Sequence, residues 1–275
     1  MKSKKLLLLP PIILFIFFQG IAHAQGALEQ QKQLANPDGT SFPEADGTIL
    51  ETDLSGNGID ESVDTQVTTI EATISLPVTV TAALTLYNGS TYLFHPDGTY
   101  SRTSKGKTGI DAGYPAKMPG GWKGLPGSWN AGINAALPYQ GTDKAYMFKD
   151  AAYTRLKVVT VDPGYPAKMP GGWKRIPSSW SGQVDAALYY PPNGRHYMFK
   201  GNEYIRLNGV TVDSGYPAKL PGGWAGMPAE FARGIDAATY RNGHVYMLKG
   251  SQYIRFTGTR MDAGYPKSIK ANWPN

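Results

Sequence analysis

The sequence predicts an all-β fold, a ring of four small sheets forming a four-bladed β-propeller, preceded by a flexible acidic N-terminal segment. Three observations predict it. A twelve-residue phrase, Asp111 to Trp122, returns at Asp162–Trp173 and Asp213–Trp224, and a shortened copy begins at Asp262. The Asp-to-Asp steps are 51, 51 and 49 residues, a period that marks a modular array whose units bury their apolar faces on one another. All 17 Tyr and all 6 Trp lie beyond residue 86, so the packed part of the chain is its C-terminal three quarters.

The first 24 residues read as a signal peptide. Lys2, Lys4 and Lys5 form its charged region, Leu6 to Phe18 its apolar one, and Ala22-His23-Ala24 a small-residue cleavage pattern near Ala24. That apolar run is about 13 residues and is interrupted by Pro10-Pro11, whereas roughly 20 are needed to span a bilayer, so the chain is not expected to be membrane-spanning. The chain has no cysteine, which excludes disulfides, thiolate metal sites and cysteine nucleophiles. An exported chain held together by packing alone suits a bacterial setting, periplasmic or secreted.

Residues 25–77 form an acidic leader. They carry ten acids and one base and, apart from Phe42, no aromatic residue, too little apolar surface to offset the entropy of ordering. Within it, Asp53, Ser55, Asn57 and Asp64 stand at positions 1, 3, 5 and 12 of a loop with Gly58 at position 6, a pattern that resembles the Asp-rich calcium loops of EF-hand and thrombospondin-type repeats. Asp64 is shorter than the usual bidentate acid, and no amphipathic helix flanks the loop. Thr68 to Leu76 alternates apolar and polar residues as a half-buried strand does.

From residue 78 the copies share four landmarks. An opening strand reads Val80-Thr81-Ala82-Ala83, Ile133-Asn134-Ala135-Ala136, Val184-Asp185-Ala186-Ala187 and Ile235-Asp236-Ala237-Ala238. Its small residues suit a crowded centre where four backbones converge. A second strand, Tyr92-Leu93-Phe94, Tyr146-Met147-Phe148, Tyr197-Met198-Phe199 or Tyr246-Met247-Leu248, is apolar on both faces and therefore buried on both. A Tyr-x-Arg pair follows: Tyr100/Arg102, Tyr153/Arg155, Tyr204/Arg206 and Tyr253/Arg255. Side chains two apart on a strand share a face, so each Arg is placed to stack on a ring and donate to a neighbouring carbonyl or acid. The repeated phrase, with its Gly-Tyr-Pro and Pro-Gly-Gly turns, closes the unit. The units span about 78–129, 130–180, 181–231 and 232–275, each with three strands and a short fourth.

These residues resemble the hemopexin repeat: (Ile/Val)-Asp-Ala-Ala, then Tyr-x-Phe-Lys-Gly-x-x-Tyr-x-Arg, then Gly-Tyr-Pro with a Trp. The resemblance covers residues 78–275 and implies a hemopexin-like four-bladed propeller, here of a bacterial secreted type. Animal members join blade one to blade four by a disulfide, which this chain lacks. The helix that usually follows Gly-Tyr-Pro is replaced by Pro-Gly-Gly-Trp, which implies a shorter, looser rim segment. The resemblance also implies a cation, calcium or sodium, held on the central channel by backbone carbonyls. Carried over, these are Thr81, Asn134, Asp185 and Asp236, with a deeper ring from Ala83, Ala136, Ala187 and Ala238. Only two of the four leading residues are Asp, so the channel is less negative than such a site prefers.

No catalytic constellation is present: no cysteine, no His-Glu-x-x-His, and histidines 95, 196 and 244 at unmatched positions of different units. The recurring acids Asp111, Asp162, Asp213 and Asp262 read as turn residues bonded to backbone N–H groups. Residues 78–275 carry 23 bases and 11 acids. Lys149, Lys200 and Lys249, and Lys117, Lys168 and Lys219, recur at equivalent positions and would present a cationic face. The function expected is therefore a secreted, non-enzymatic binding or scaffold module for an anionic glycan, lipopolysaccharide or protein surface. An exported chain is not expected to bind nucleic acid. The alternative is a small-ligand carrier of haem, metal or polyamine, of which haem is the least expected with one propeller and so few histidines.

Overall fold

The computed structural model describes residues 79–273 except Gln140, so the signal peptide, the acidic leader, the Asp53–Asp64 loop and the Thr68–Leu76 strand lie outside the described residues. The described chain is a four-bladed propeller. Blade one comprises β1 (Ala82–Thr85), β2 (Thr91–Phe94), β3 (Thr99–Thr103) and β4 (Ala116–Lys117). Blade two comprises β5 (Ala135–Pro138), β6 (Lys144–Lys149), β7 (Ala152–Lys157), β8 (Thr160–Val161) and β9 (Ala167–Lys168). Blade three comprises β10 (Ala186–Tyr190), β11 (Arg195–Lys200), β12 (Glu203–Asn208), β13 (Thr211–Val212) and β14 (Ala218–Lys219). Blade four comprises β15 (Ala237–Arg241), β16 (His244–Lys249), β17 (Gln252–Thr257), β18 (Arg260–Met261) and β19 (Lys267–Ser268). Every pairing within a blade is antiparallel, and the first four strands run outward in chain order, while β9, β14 and β19 pair back onto β7, β12 and β17. The described helices are single turns on the rim, such as Gly127–Trp129 and Ala229–Ala232.

The cores lie between blades, not within them. Ala82, Phe94 and Tyr100 of blade one pack with Ile133, Ala136 and Met147 of blade two. Ala135, Phe148 and Tyr153 pack with Val184, Ala187 and Met198. Ala186, Phe199 and Tyr204 pack with Ile235, Ala238 and Met247. The ring closes where Ala237, Leu248 and Tyr253 of blade four meet Val80, Ala83 and Leu93 of blade one. Successive strand residues point to opposite sheet faces. The first Ala of each pair therefore serves the next blade and the second the preceding one, and Tyr and Phe face forward while Met or Leu faces back. No blade could bury both faces alone, which is why the repeat must come as a closed set.

Closure without a disulfide falls to polar groups as well. Thr85 and Thr239 share a hydroxyl hydrogen bond of 2.8 Å across the joint. Arg241, only 2% exposed, reaches from blade four into blade one. It donates to the Thr91 hydroxyl at 2.9 Å and to the carbonyls of Thr103, Ser104 and Lys107 at 3.4, 3.3 and 2.7 Å. Blades one to three hold Leu86, Tyr139 and Tyr190 at the equivalent position.

The Pro-Gly-Gly-Trp segment is short, but it is not loose. Trp122, Trp173 and Trp224 are buried, and Trp122 meets Tyr92 edge-on at 5.0 Å. The hydroxyls of Tyr100, Tyr153 and Tyr204 accept the amides of Gly121, Gly172 and Gly223 at 3.2, 2.9 and 3.3 Å. In blade four a helical turn, Ile269–Asn272, delivers Trp273 to the same place against Tyr246 and Tyr253.

Candidate functional site

Each blade ends in an Arg–Asp–Tyr assembly built by the repeated phrase. Arg102, Arg155, Arg206 and Arg255 donate from Nε to the carboxylates of Asp111, Asp162, Asp213 and Asp262 at 2.6, 2.5, 2.6 and 2.5 Å. Each guanidinium lies over the ring of Tyr114, Tyr165, Tyr216 or Tyr265, 4.9 to 5.2 Å from its centroid. The phrase acids thus bond to side chains, and the expectation that they serve backbone N–H groups holds only in part: Asp111 also accepts the Ser104 amide at 3.2 Å. The reason is register. Asp111, Asp162, Asp213 and Asp262 donate their own amides to the carbonyls of those arginines, which sets each carboxylate beside its guanidinium. Burial pulls the Asp111 carboxyl upward, but the Ser104 hydroxyl and Arg102 outweigh it and hold the group below the usual carboxylate range. Burial also pushes the Tyr114 hydroxyl up to about 12, so the stacked ring stays neutral. An assembly present in all four blades is a packing device.

The channel mouth is different. A cavity of about 320 Å³ is lined by Thr81, Asn134, Asp185 and Asp236, the four leading residues of the inner strands, together with Gln183, Arg233 and Lys249. β1, β5, β10 and β15 are each the end strand of their sheet and neighbour one another around the axis. One backbone edge of each is therefore without a strand partner and faces the channel. Ala83, Ala136, Ala187 and Ala238 direct their side chains into the inter-blade cores and are nearly fully buried, which leaves only their backbone for the channel.

The side chains of the leading ring are committed elsewhere. The Asn134 carbonyl oxygen accepts the Asp150 amide at 2.6 Å, and the carboxylates of Asp185 and Asp236 accept the amides of Gly201 and Gly250, both at 2.7 Å. Each thus caps the hairpin between the second and third strands of its own blade. Blade one has Pro96 in the capped position, which has no N–H to donate, and the capping position there holds Thr81. Thr81 donates to the Phe94 carbonyl at 3.3 Å instead. Among the described residues no group of three or more His, Cys, Asp or Glu stands together as a metal site, so a cation on this axis would rest on backbone carbonyls and water.

Two of the three histidines of the propeller are structural. His95 and His196 are fully buried. His95 bonds through its two ring nitrogens to the Thr79 carbonyl and the Ser101 hydroxyl at 3.0 and 2.9 Å. His196 stacks on Tyr139 with 5.3 Å between ring centres. Burial lowers both, His196 to about 4 against the opposing pull of the Gly209 backbone. The lysines that follow the second strand are also engaged. Lys149 and Lys249 donate to the carbonyls of Gly132 and Gly234 at 2.7 and 2.8 Å, and Lys200 donates to Ser179. Of the second set expected to be cationic, Lys117 and Lys168 are exposed, and Lys219 is exposed but pairs with Glu203 at 2.9 Å; Lys123, Lys174 and Arg175 are exposed as well.

No helix among the described residues is long and apolar enough to cross a membrane. A model of the Hemopexin family matches residues 184–229 and 235–275, the third and fourth blades. Vitronectin of Sus scrofa is 34% identical over 124 residues, covering 43% of this chain and 25% of that protein. Vitronectin of Homo sapiens is 33% identical over 124 residues, with 43% and 24% covered. The chain spans about a quarter of the length of these curated relatives. Three plant structures superpose on the propeller. The hemopexin fold protein CP4 from cow pea has a TM-score of 0.60 at 18% identity, over 71% of this chain and 99% of that one. A Cicer arietinum albumin showing hemagglutination gives 0.59 at 22%, over 71% and 96%. A Cicer arietinum lectin with two metal binding sites gives 0.58 at 21%, over 72% and 99%. The described chain is therefore a hemopexin-like four-bladed propeller, with the Hemopexin family model matching its last two blades.

Proposed function

We propose that this chain is a secreted, non-enzymatic binding or scaffold module whose propeller offers a basic surface to an anionic macromolecule, such as an acidic glycan. The observation that carries the reading is how the propeller uses its charges. Of its eleven acids, against 23 bases, six are engaged within the blades: four neutralise the repeat arginines, and Asp185 and Asp236 cap hairpins. Lys117, Lys168, Lys123, Lys174 and Arg175 meanwhile face solvent. Such an imbalance attracts polyanions and makes their binding salt-dependent.

Arg175 supports the reading separately. Its backbone lies in the left-handed region at φ 61, where the equivalent residues of blades one and three are Gly124 and Gly226. A side chain there is destabilising by about 1 kcal/mol relative to glycine, a local cost that an exposed cation at a contact surface would justify. The test is affinity for a sulfated or uronate-rich polysaccharide at two salt concentrations. Arg175→Gly should weaken binding severalfold while raising the melting temperature. Binding that is indifferent to salt and unchanged in Arg175→Gly and Lys174→Ala would remove the reading.

A cation, calcium or sodium, in the channel belongs to the same proposal, in a structural role. Its support is the convergence of four free strand edges and of Thr81, Asn134, Asp185 and Asp236 on one cavity, and the plant lectin of this fold with its metal sites is the precedent. The Asp53–Asp64 loop remains a second calcium candidate. The small-ligand alternative rests on that cavity, and burial of His95 and His196 speaks against haem as its ligand. A hemin titration followed in the visible spectrum separates the two readings.

A further inference from the structure

The propeller repeats its packing faithfully, so the places where it breaks the repeat are informative, and three of them meet at the channel mouth. Arg233 stands where blades two and three begin with Ala131 and Gly182. Gln183 stands where the equivalent residues are Gly132 and Gly234. Both line the cavity, while blade one contributes Thr81 in place of an amide or acid. A packing role would be expected to recur in every blade; these side chains do not recur, and all are directed to one space.

The hydrogen-bonding capacity left in that space defines what it fits. Arg233 is exposed, and among the described residues its guanidinium forms no ion pair and no hydrogen bond, so all five donors are available in a planar fork. Lys249 adds positive charge on the same wall, although its ammonium is held by the Gly234 carbonyl. In the same cavity, Asp236 uses one carboxylate oxygen for the Gly250 amide and keeps the other as an acceptor. Asp185 holds Gln183 Nε2 at 3.0 Å on one oxygen and the Gly201 amide on the other, which orients the Gln183 carbonyl oxygen as a further acceptor. Asn134 has its oxygen occupied by Asp150 and its two amide hydrogens available. The cavity thus combines one bidentate anion site with a mixed set of donors and acceptors, and Ile235 is its one large apolar residue.

We propose that the channel mouth binds a single acidic sugar unit, a carboxylate-bearing monosaccharide or the end of a chain of them. The carboxylate lies on Arg233, where the planar fork matches it bidentately. The hydroxyls donate to Asp236 and the Gln183 carbonyl and accept from the Asn134 amide. A simple anion would leave those acceptors unpaired, and a neutral sugar would leave the guanidinium without a partner. The proposal rests on the anionic-partner reading above and gives it a specific end-recognition site, separate from the exposed rim lysines.

The test uses the full mature chain, titrated with methyl glucuronide, N-acetylneuraminate, methyl glucoside and lactate and followed by calorimetry and ligand-observed NMR. Saturable binding of an acidic sugar in the millimolar range is expected, about tenfold or more tighter than the glucoside or lactate. Arg233→Gln should abolish it, and Gln183→Gly should weaken it severalfold, with melting temperatures unchanged because neither residue packs in a core. Arg175→Gly should leave monosaccharide binding intact while weakening the polysaccharide. No saturable binding of either acidic sugar, or equal binding by Arg233→Gln, overturns the proposal. If the polysaccharide still binds in a salt-dependent way, the rim reading survives that result; if it does not, both fall together.

Discussion

Arg102 and Asp111 meet through one bond of 2.6 Å from Nε to Oδ2, and Asp111 is the most buried acid of the four repeat pairs, with its side chain 7% exposed. The same carboxylate accepts the Ser104 hydroxyl at 2.7 Å, so it anchors two segments of blade one. Removing the arginine leaves a buried, half-satisfied carboxylate and uncovers the Tyr114 ring. Arg102→Ala should therefore cost about 1–3 kcal/mol in chemical denaturation. Arg206→Ala should cost less, because its side chain is 38% exposed and solvent takes over part of the pairing. Equal losses from the two substitutions would show that burial does not set the strength of these pairs.

Acid should weaken the fold in two stages. An unfolded histidine titrates near 6.5, whereas burial holds His196 at about 4 and also lowers His95. Between those values the unfolded chain binds more protons than the folded one, so stability rises with pH. Their contribution is complete above about pH 6.5 and is lost as pH falls toward 4, by about 3 kcal/mol for His196 at most. Asp111, whose carboxyl is held low, contributes stability present above the ordinary carboxylate range and lost as pH falls through its folded value. Denaturation midpoints from pH 8 to pH 3 should show both steps, and His196→Gln should flatten the upper one. A midpoint that does not fall between pH 6.5 and 4 would contradict this account.

What the repeat displays four times was legible before any coordinates: the blade count, the paired alanines, the two-faced second strand and the structural Tyr-x-Arg pairs. Each has a period, and a period converts into a face and a position. The features that needed the structure have no copies. Trp273 follows Tyr265 by the same eight residues that separate Tyr114 from Trp122, yet the intervening sequence is a helical turn without Pro-Gly-Gly, and the fourth copy reads as truncated. Arg241 looks like one more surface cation until ring closure brings blade one over it. Lys149, Lys200 and Lys249 read as a cationic face because sequence gives charge and position but not the carbonyls of the preceding segment that receive them. Four of the channel residues were legible only through the family resemblance, and Arg233 and Gln183 only through the cavity.

The two glycines of each Pro-Gly-Gly turn should respond differently to the same change. A Cβ on Gly222, at φ +47, would lie 2.7 Å from the Lys219 carbonyl oxygen and 2.9 Å from the Tyr204 ring, both closer than atoms can approach. A Cβ on Gly223 would meet only the Tyr204 hydroxyl at 3.7 Å, an ordinary contact. Gly222→Ala should cost on the order of 2 kcal/mol or more, since backbone strain adds to the clash, and Gly223→Ala less than about 0.5 kcal/mol. Paired thermal melts decide it, and similar melting temperatures would mean that the turn relaxes freely.

Ring closure depends on Arg241. A buried guanidinium without a carboxylate is costly to desolvate, and burial lowers its basicity, so its four hydrogen bonds into blade one must offset that cost. They do so where blade four must be held against blade one without a covalent bond. Arg241→Met keeps the bulk, removes the buried charge and leaves the carbonyls of Thr103, Ser104 and Lys107 without that partner. Were the arginine merely tolerated, the methionine variant would be as stable as the parent or more so, as buried ion replacements often are. As a clasp, its loss should cost about 2–4 kcal/mol and act locally. Amide exchange should accelerate first in β1 and β15, ahead of β5 and β10, whose joint is unchanged. Uniform acceleration through all four blades, or no loss of stability, would assign closure to the Val80, Leu93 and Trp273 core and the Thr85–Thr239 bond.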